Sequence, residues 1–226
     1  MGKNHIVISK LKTISKKETA YYASEMMSHP FSEEEGWGFA DVLRVDDSIS
    51  ATLQKRISTY YSVWNEELQQ VERQCFKIVT EVPFEIDFKH CTLIAEGTNI
   101  QQNRVKQAFR QLFWNEFVYE ELNLAPVDYV MIFKKSGKLT TIDELSINDF
   151  QYGDCLIGRY NAKPTSQFGI MEKLGEHAKC IVRAKLRISL ADEECILSVS
   201  NRNVLTLESS DDAKLELVDY LKAYLC

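Results

Sequence analysis

The sequence predicts an α+β fold, with an antiparallel or mixed sheet built from two strand-strand-helix units and packed by long amphipathic helices. Three observations carry this. Val82, Phe84, Ile86 and Phe88 alternate with Glu81, Pro83, Glu85 and Asp87, the period of a strand with one buried face. Ile49, Leu53, Ile57, Tyr60, Trp64, Leu68 and Val71 recur at spacings of three and four, the pattern of a helix with one apolar side. Two runs, one ending near Leu122 and one near Cys226, each read as two strands followed by a capped helix. They share pattern and little residue identity, so a reuse of the same layer unit and a duplication both stay open.

The elements follow in order. Ile6 to Ile8 reads as an edge strand. Ser15-Lys16-Lys17-Glu18 has the form of a capping box, predicting a helix to about Ser28, before Pro30. The 49–74 stripe predicts a long helix. Strands are expected at 82–88 and 92–96, then a second capping box at Thr98-Asn99-Ile100-Gln101 and a helix running towards Leu122. Val127 to Phe133 reads as an apolar strand, Ile142 to Leu145 as a helical turn, and 155–160 as a strand. Ser166 to Leu174 predicts a short helix. Alternation at Val182, Ala184, Leu186 and Ile188, a hairpin turn at Asn201-Arg202-Asn203 and a closing helix started by Ser209 or Ser210 complete the chain. The expected organisation is a single globular domain, 1–226, with a weak subdivision into 1–160 and 161–226 around Pro164.

Composition narrows the function classes. The formal charge is -6 over 226 residues, which argues against a surface devoted wholly to phosphate backbones. No apolar run approaches membrane-spanning length, and the N-terminus has no signal-like segment, so a soluble cytoplasmic protein without membrane contact is expected. Six scattered cysteines without a C-x-x-C read as reduced thiols. Phosphate-loop, dinucleotide, serine-elbow and zinc-protease motifs are all missing, and no cofactor is indicated.

Three constellations remain. In HPFSEEEGWGF, the acidic residues Glu33, Glu34 and Glu35 and two glycines surround Trp37, an anchor for a protein partner if the indole is exposed. Arg183, Lys185 and Arg187 share one strand face and, joined by Lys10 and Lys12, offer a path for a nucleic acid. No aromatic interleaves them to stack bases. Glu85, Asp87 and Glu96 with Lys89 supply the side chains of a magnesium-dependent nuclease, although the usual D, then E-x-K spacing is absent. Opposite charges on the 81–87 and 183–187 strands would pair across a sheet if those strands were neighbours. The reading these observations favour is a non-catalytic intracellular subunit or adaptor that binds another macromolecule, a protein within a larger complex. A nucleic-acid binder is the alternative and a metal-dependent nuclease, the one reading with a Mg cofactor, the second.

Overall fold

The computed structural model describes residues 2–14, 17–120, 122, 124–152, 156–166, 174 and 178–225. The expected Ser15-Lys16 cap, most of the helix at 166–174, His177, and the cysteines at 155 and 226 lie outside them.

Eleven strands form one sheet: β1 (Gly2–Thr13), β2 (Trp37–Val45), β3 (Ser48–Asn65), β4 (Gln70–Asp87), β5 (Thr92–Glu96), β6 (Phe117–Glu120), β7 (Leu139–Tyr152), β8 (Leu156–Ala162), β9 (Ile181–Leu190), β10 (Glu193–Ser200) and β11 (Val204–Ser209). Their spatial order is β2-β3-β4-β5-β1-β11-β10-β9-β7-β8, with β6 pairing β1 off that path. Every pairing is antiparallel. The helices are α1 (Thr19–Met27), α2 (Asn99–Phe113), α3 (Pro126–Lys135) and α4 (Asp211–Leu225). This corrects the predicted fold class: one large antiparallel sheet dominates the molecule, and among the described residues the α-helices α1 to α4 are of modest length and no long amphipathic helix packs the sheet. No helix among the described residues is long and apolar enough to cross a membrane.

The largest difference from the expected fold is the 49–74 stripe, which is part of a β-hairpin. Ile49, Leu53 and Ile57, and then Tyr60, Trp64 and Leu68, are each spaced by four. Four is a multiple of two, so such a series fits one face of a strand as well as one side of a helix. Propensity then decides: β3 is rich in Ile, Thr, Tyr, Val and Trp, which suit a pleated surface. Asn65 fixes the turn. Its Oδ1 accepts the backbone N–H groups of Glu67 and Leu68 at 3.0 and 3.1 Å, and Gln69 takes a positive φ of 55°.

Smaller corrections have local causes. Val127 to Phe133 is helical because Pro126 presets the first turn and Asp128 accepts the Ala125 N–H at 2.7 Å. Ile142 to Leu145 lies within β7, opposite β9. Helix α2 keeps its predicted capping box but ends at Phe113; Trp114 takes φ 53°, is 80% exposed, and the chain returns as β6. β1 is no edge strand, since it pairs β5, β6 and β11.

Two apolar cores result. One gathers Ile6, Ile8 and the inner faces of β7, β9, β10 and β11 under α3 and α4. The other gathers Leu11 and the inner faces of β2 to β5 under α1 and α2, with the Phe109 ring within 6.1 Å of those of Phe39, Phe84, Phe113 and Phe117.

Candidate partner-binding arm

Only the inner half of the β3–β4 hairpin belongs to the second core. All residues from Ser48 to Asn65 pair with Asp87 to Gln70 without a bulge. Ile49, Ala51, Leu53, Val82, Phe84 and Ile86 are buried, whereas no residue from 57 to 79 is. At about 3.3 Å per residue, the strands reach roughly 40 Å beyond the last buried pair, Leu53 and Val82.

The arm is apolar on both faces. Ile57, Tyr61 and Val63 with Phe76 and Ile78 continue the face that is buried further down, and Tyr60, Trp64, Val71 and Val79 occupy the reverse. Trp64 is 56% exposed, Val71 63% and Tyr61 54%. The free hairpin keeps its shape through the Asn65 turn, an Asn65 Nδ2 to Glu72 Oε2 bond of 2.9 Å, edge contact of Tyr61 with Phe76 (ring centroids 5.7 Å apart) and the Arg73 guanidinium 4.5 Å from the Tyr60 ring centre. Both flanks are open. β2 pairs β3 only as far as Lys55, with one further bond from the Arg56 N–H to the Gly36 carbonyl, and β5 pairs β4 only from Phe84, so among the described residues the outer backbone edges of 57–65 and 70–83 have no strand beside them.

The tryptophan singled out in the sequence points elsewhere. Trp37 is 9% exposed and packs against His29 (4.2 Å between ring centres) and Phe39 (5.9 Å). Its neighbour must be glycine, because a Cβ at Gly38 would come within 2.3 Å of the Pro30–Phe31 backbone. Glu33 engages Arg56 at 2.9 Å and Glu35 lies 2.9 Å from His29 Nε2, while Glu34 is exposed. The acidic loop thus folds onto the base of the arm.

The carboxylates at 85, 87 and 96 face α4. Lys222, itself buried, reaches Glu85 Oε1 at 2.6 Å and Asp87 Oδ2 at 3.6 Å, and Lys214, two turns earlier, pairs with Glu96. His90 donates its backbone N–H to Asp87 Oδ1 at 2.8 Å, with Nδ1 2.8 Å from Oδ2. Lys89 is exposed in the β4–β5 turn. Among the described residues, no three His, Cys, Asp or Glu side chains are grouped to hold a metal ion.

Burial pushes the Asp87 carboxyl up. The bonds from the His90 ring and backbone and the charges of His90 and Lys222 together outweigh it, holding the group below its ordinary value of 3.8. A depressed folded value means that Asp87 contributes its full stability above pH 3.8, lost as pH falls through the folded value. Thermal melts of Asp87→Asn should therefore show a shallower acid loss than the parent below about pH 4. Lys222→Met, which strands two carboxylates against α4, should cost about 3 kcal/mol near neutral pH. A variant as stable as the parent would show that the lysine is not what balances these charges.

The basic strand is not the complement of the acidic one. Four strands separate β9 from β4. Arg187 is held by Glu194 at 2.9 Å and Asp143 at 3.0 Å, and these bonds raise its pKa. Lys185 lies opposite Glu144, and Arg183 opposite serines on both sides. Lys12 pairs with Glu120, and Lys10 is exposed on β1. The two charged strands are thus balanced locally, each by its own neighbours.

The chain matches no protein-family model, and no curated protein matches it in sequence.

Proposed function

We propose that the protein is a non-catalytic cytoplasmic subunit or adaptor that binds a protein partner, and that the β3–β4 arm makes the contact. The observation that carries this reading is the run of exposed apolar residues on both faces of residues 57–79. Scattered apolar side chains are ordinary on a protein surface, but a contiguous set on a projecting element marks an interaction site. The open edges add a second means of attachment, since an extended segment of a partner can hydrogen-bond to either strand while its side chains meet the apolar faces.

The test is removal of the arm. Thr59 to Phe76 can be replaced by Asn-Gly, joining Ser58 to the residue it already faces, Lys77, through a two-residue hairpin turn. The body should still fold, because no residue in the deleted segment is buried. Partner binding should be lost. Undiminished binding by the shortened protein would remove the reading.

A further inference from the structure

We infer that the cleft between α2 and the start of α3 binds a small phosphorylated molecule. The cleft opens where β1 exchanges one neighbour for another. β11 pairs Gly2 to Val7 and β6 pairs Lys10 to Thr13 on the edge opposite β5, leaving Ile8 and Ser9 between them. This interruption borders a cavity of about 600 Å³, within the range of roughly 300 to 1,000 Å³ usual for small-molecule sites.

Its floor is polar and already organised. Ser9 and Gln102 are buried. The Ser9 hydroxyl donates to Gln102 Oε1 at 2.8 Å, Gln102 Nε2 donates to the Val7 carbonyl at 3.2 Å, and Lys106 Nζ donates to Ser9 Oγ at 2.8 Å. A bound molecule would thus meet an ammonium group whose position is fixed before binding. At the rim, Lys179 and Arg202 are exposed, and neither has an ion pair among the described residues. The wall is braced by the Asn99 side chain, which donates to the Arg202 carbonyl at 3.3 Å, and by Asn203, which donates to the Leu122 carbonyl.

The charge balance gives the class of ligand. In a chain with 33 acidic and 27 basic residues, the described lining residues include three cations and no carboxylate. Clustered cations in a concavity raise the local concentration of anions. An apolar ligand would cover the donors without satisfying them. Phosphate oxygens answer the lysines and the guanidinium, while carboxamides such as Asn103 can both donate to and accept from hydroxyls or ring nitrogens in the rest of the molecule.

The experiment uses the full chain, with pyrophosphate and ATP as probes in low-salt calorimetric titrations. Binding of either probe is expected, weakening as salt is added. Arg202→Glu and Lys179→Glu, both at exposed positions, should each lower affinity by about tenfold or more. Lys77→Glu on the arm should leave it unchanged. Failure of both probes to bind, or indifference to both reversals at the cleft, would overturn the inference. So would tighter binding of a single-stranded RNA that is weakened by Arg183→Glu, because the anion site would then be an extended surface. None of these outcomes depends on whether the arm binds a protein.

Discussion

Truncating Tyr61 and Trp64 to alanine is expected to weaken partner binding by about 2 kcal/mol per ring, roughly 30-fold each. The free protein should melt at the same temperature. Aromatic side chains dominate interfaces when they can leave water completely, and these two are about half exposed in the free protein. They also lie on opposite faces. Tyr61 continues the core-side face with Phe76 and Ile78, and Trp64 shares the reverse with Tyr60 and Val71. A partner that encloses the ribbon loses both contacts in the double variant, whereas one that covers a single face responds to only one substitution. Titration of each variant against the purified partner distinguishes these cases, and full affinity in both single variants would contradict the proposed contact.

The largest loss of stability is expected at Phe109. Phe109→Ala should destabilise the protein by about 4 kcal/mol, the usual cost of removing a buried phenyl ring. Phe109 is fully buried, and four phenylalanine rings from β2, β4, α2 and the start of β6 surround it. Phe39 and Phe84 come from strands distant in sequence, and Phe113 and Phe117 from the helix itself and the strand after it, so the space cannot close without moving several elements at once. For a chain of this size, the shift in melting temperature should be about 10 °C. Phe76→Ala supplies the contrast: the same chemical change, made on the arm, should cost far less, because Phe76 is 40% exposed and belongs to neither core.

Legibility in the sequence followed local constraint. The alternations at 82–88 and 182–188, the Thr98 capping box and the closing helix from Asp211 are present in the structure. Each combines periodicity with a start or stop signal. The 49–74 segment was ambiguous because spacings of four fit both periods, and its Thr, Tyr, Val and Trp content was the better guide. Val127 to Phe133 was too short a run for periodicity to decide, and the signal lay in Pro126 and Asp128 instead. For the candidate sites, Tyr60, Trp64 and Val71 are legible as apolar residues, but their exposure is a property of tertiary placement that the pattern does not carry. Trp37 shows the converse: the acidic, glycine-flanked loop around it gave no sign that the indole folds inward. The cleft could not be read at all. Ser9, Gln102, Lys106, Lys179 and Arg202 converge only through the exchange of β11 for β6 along β1.

If a partner protein covers the arm at residues 57–79, the complex cannot survive loss of the arm. The most direct measurement compares the native mass of complexes recovered from the source cell with the intact protein and with the Thr59 to Phe76 replacement. A defined complex is expected for the intact chain and only the free protein for the shortened one, with both melting alike. Recovery of the same complex by the shortened protein would contradict coverage of the arm by a partner.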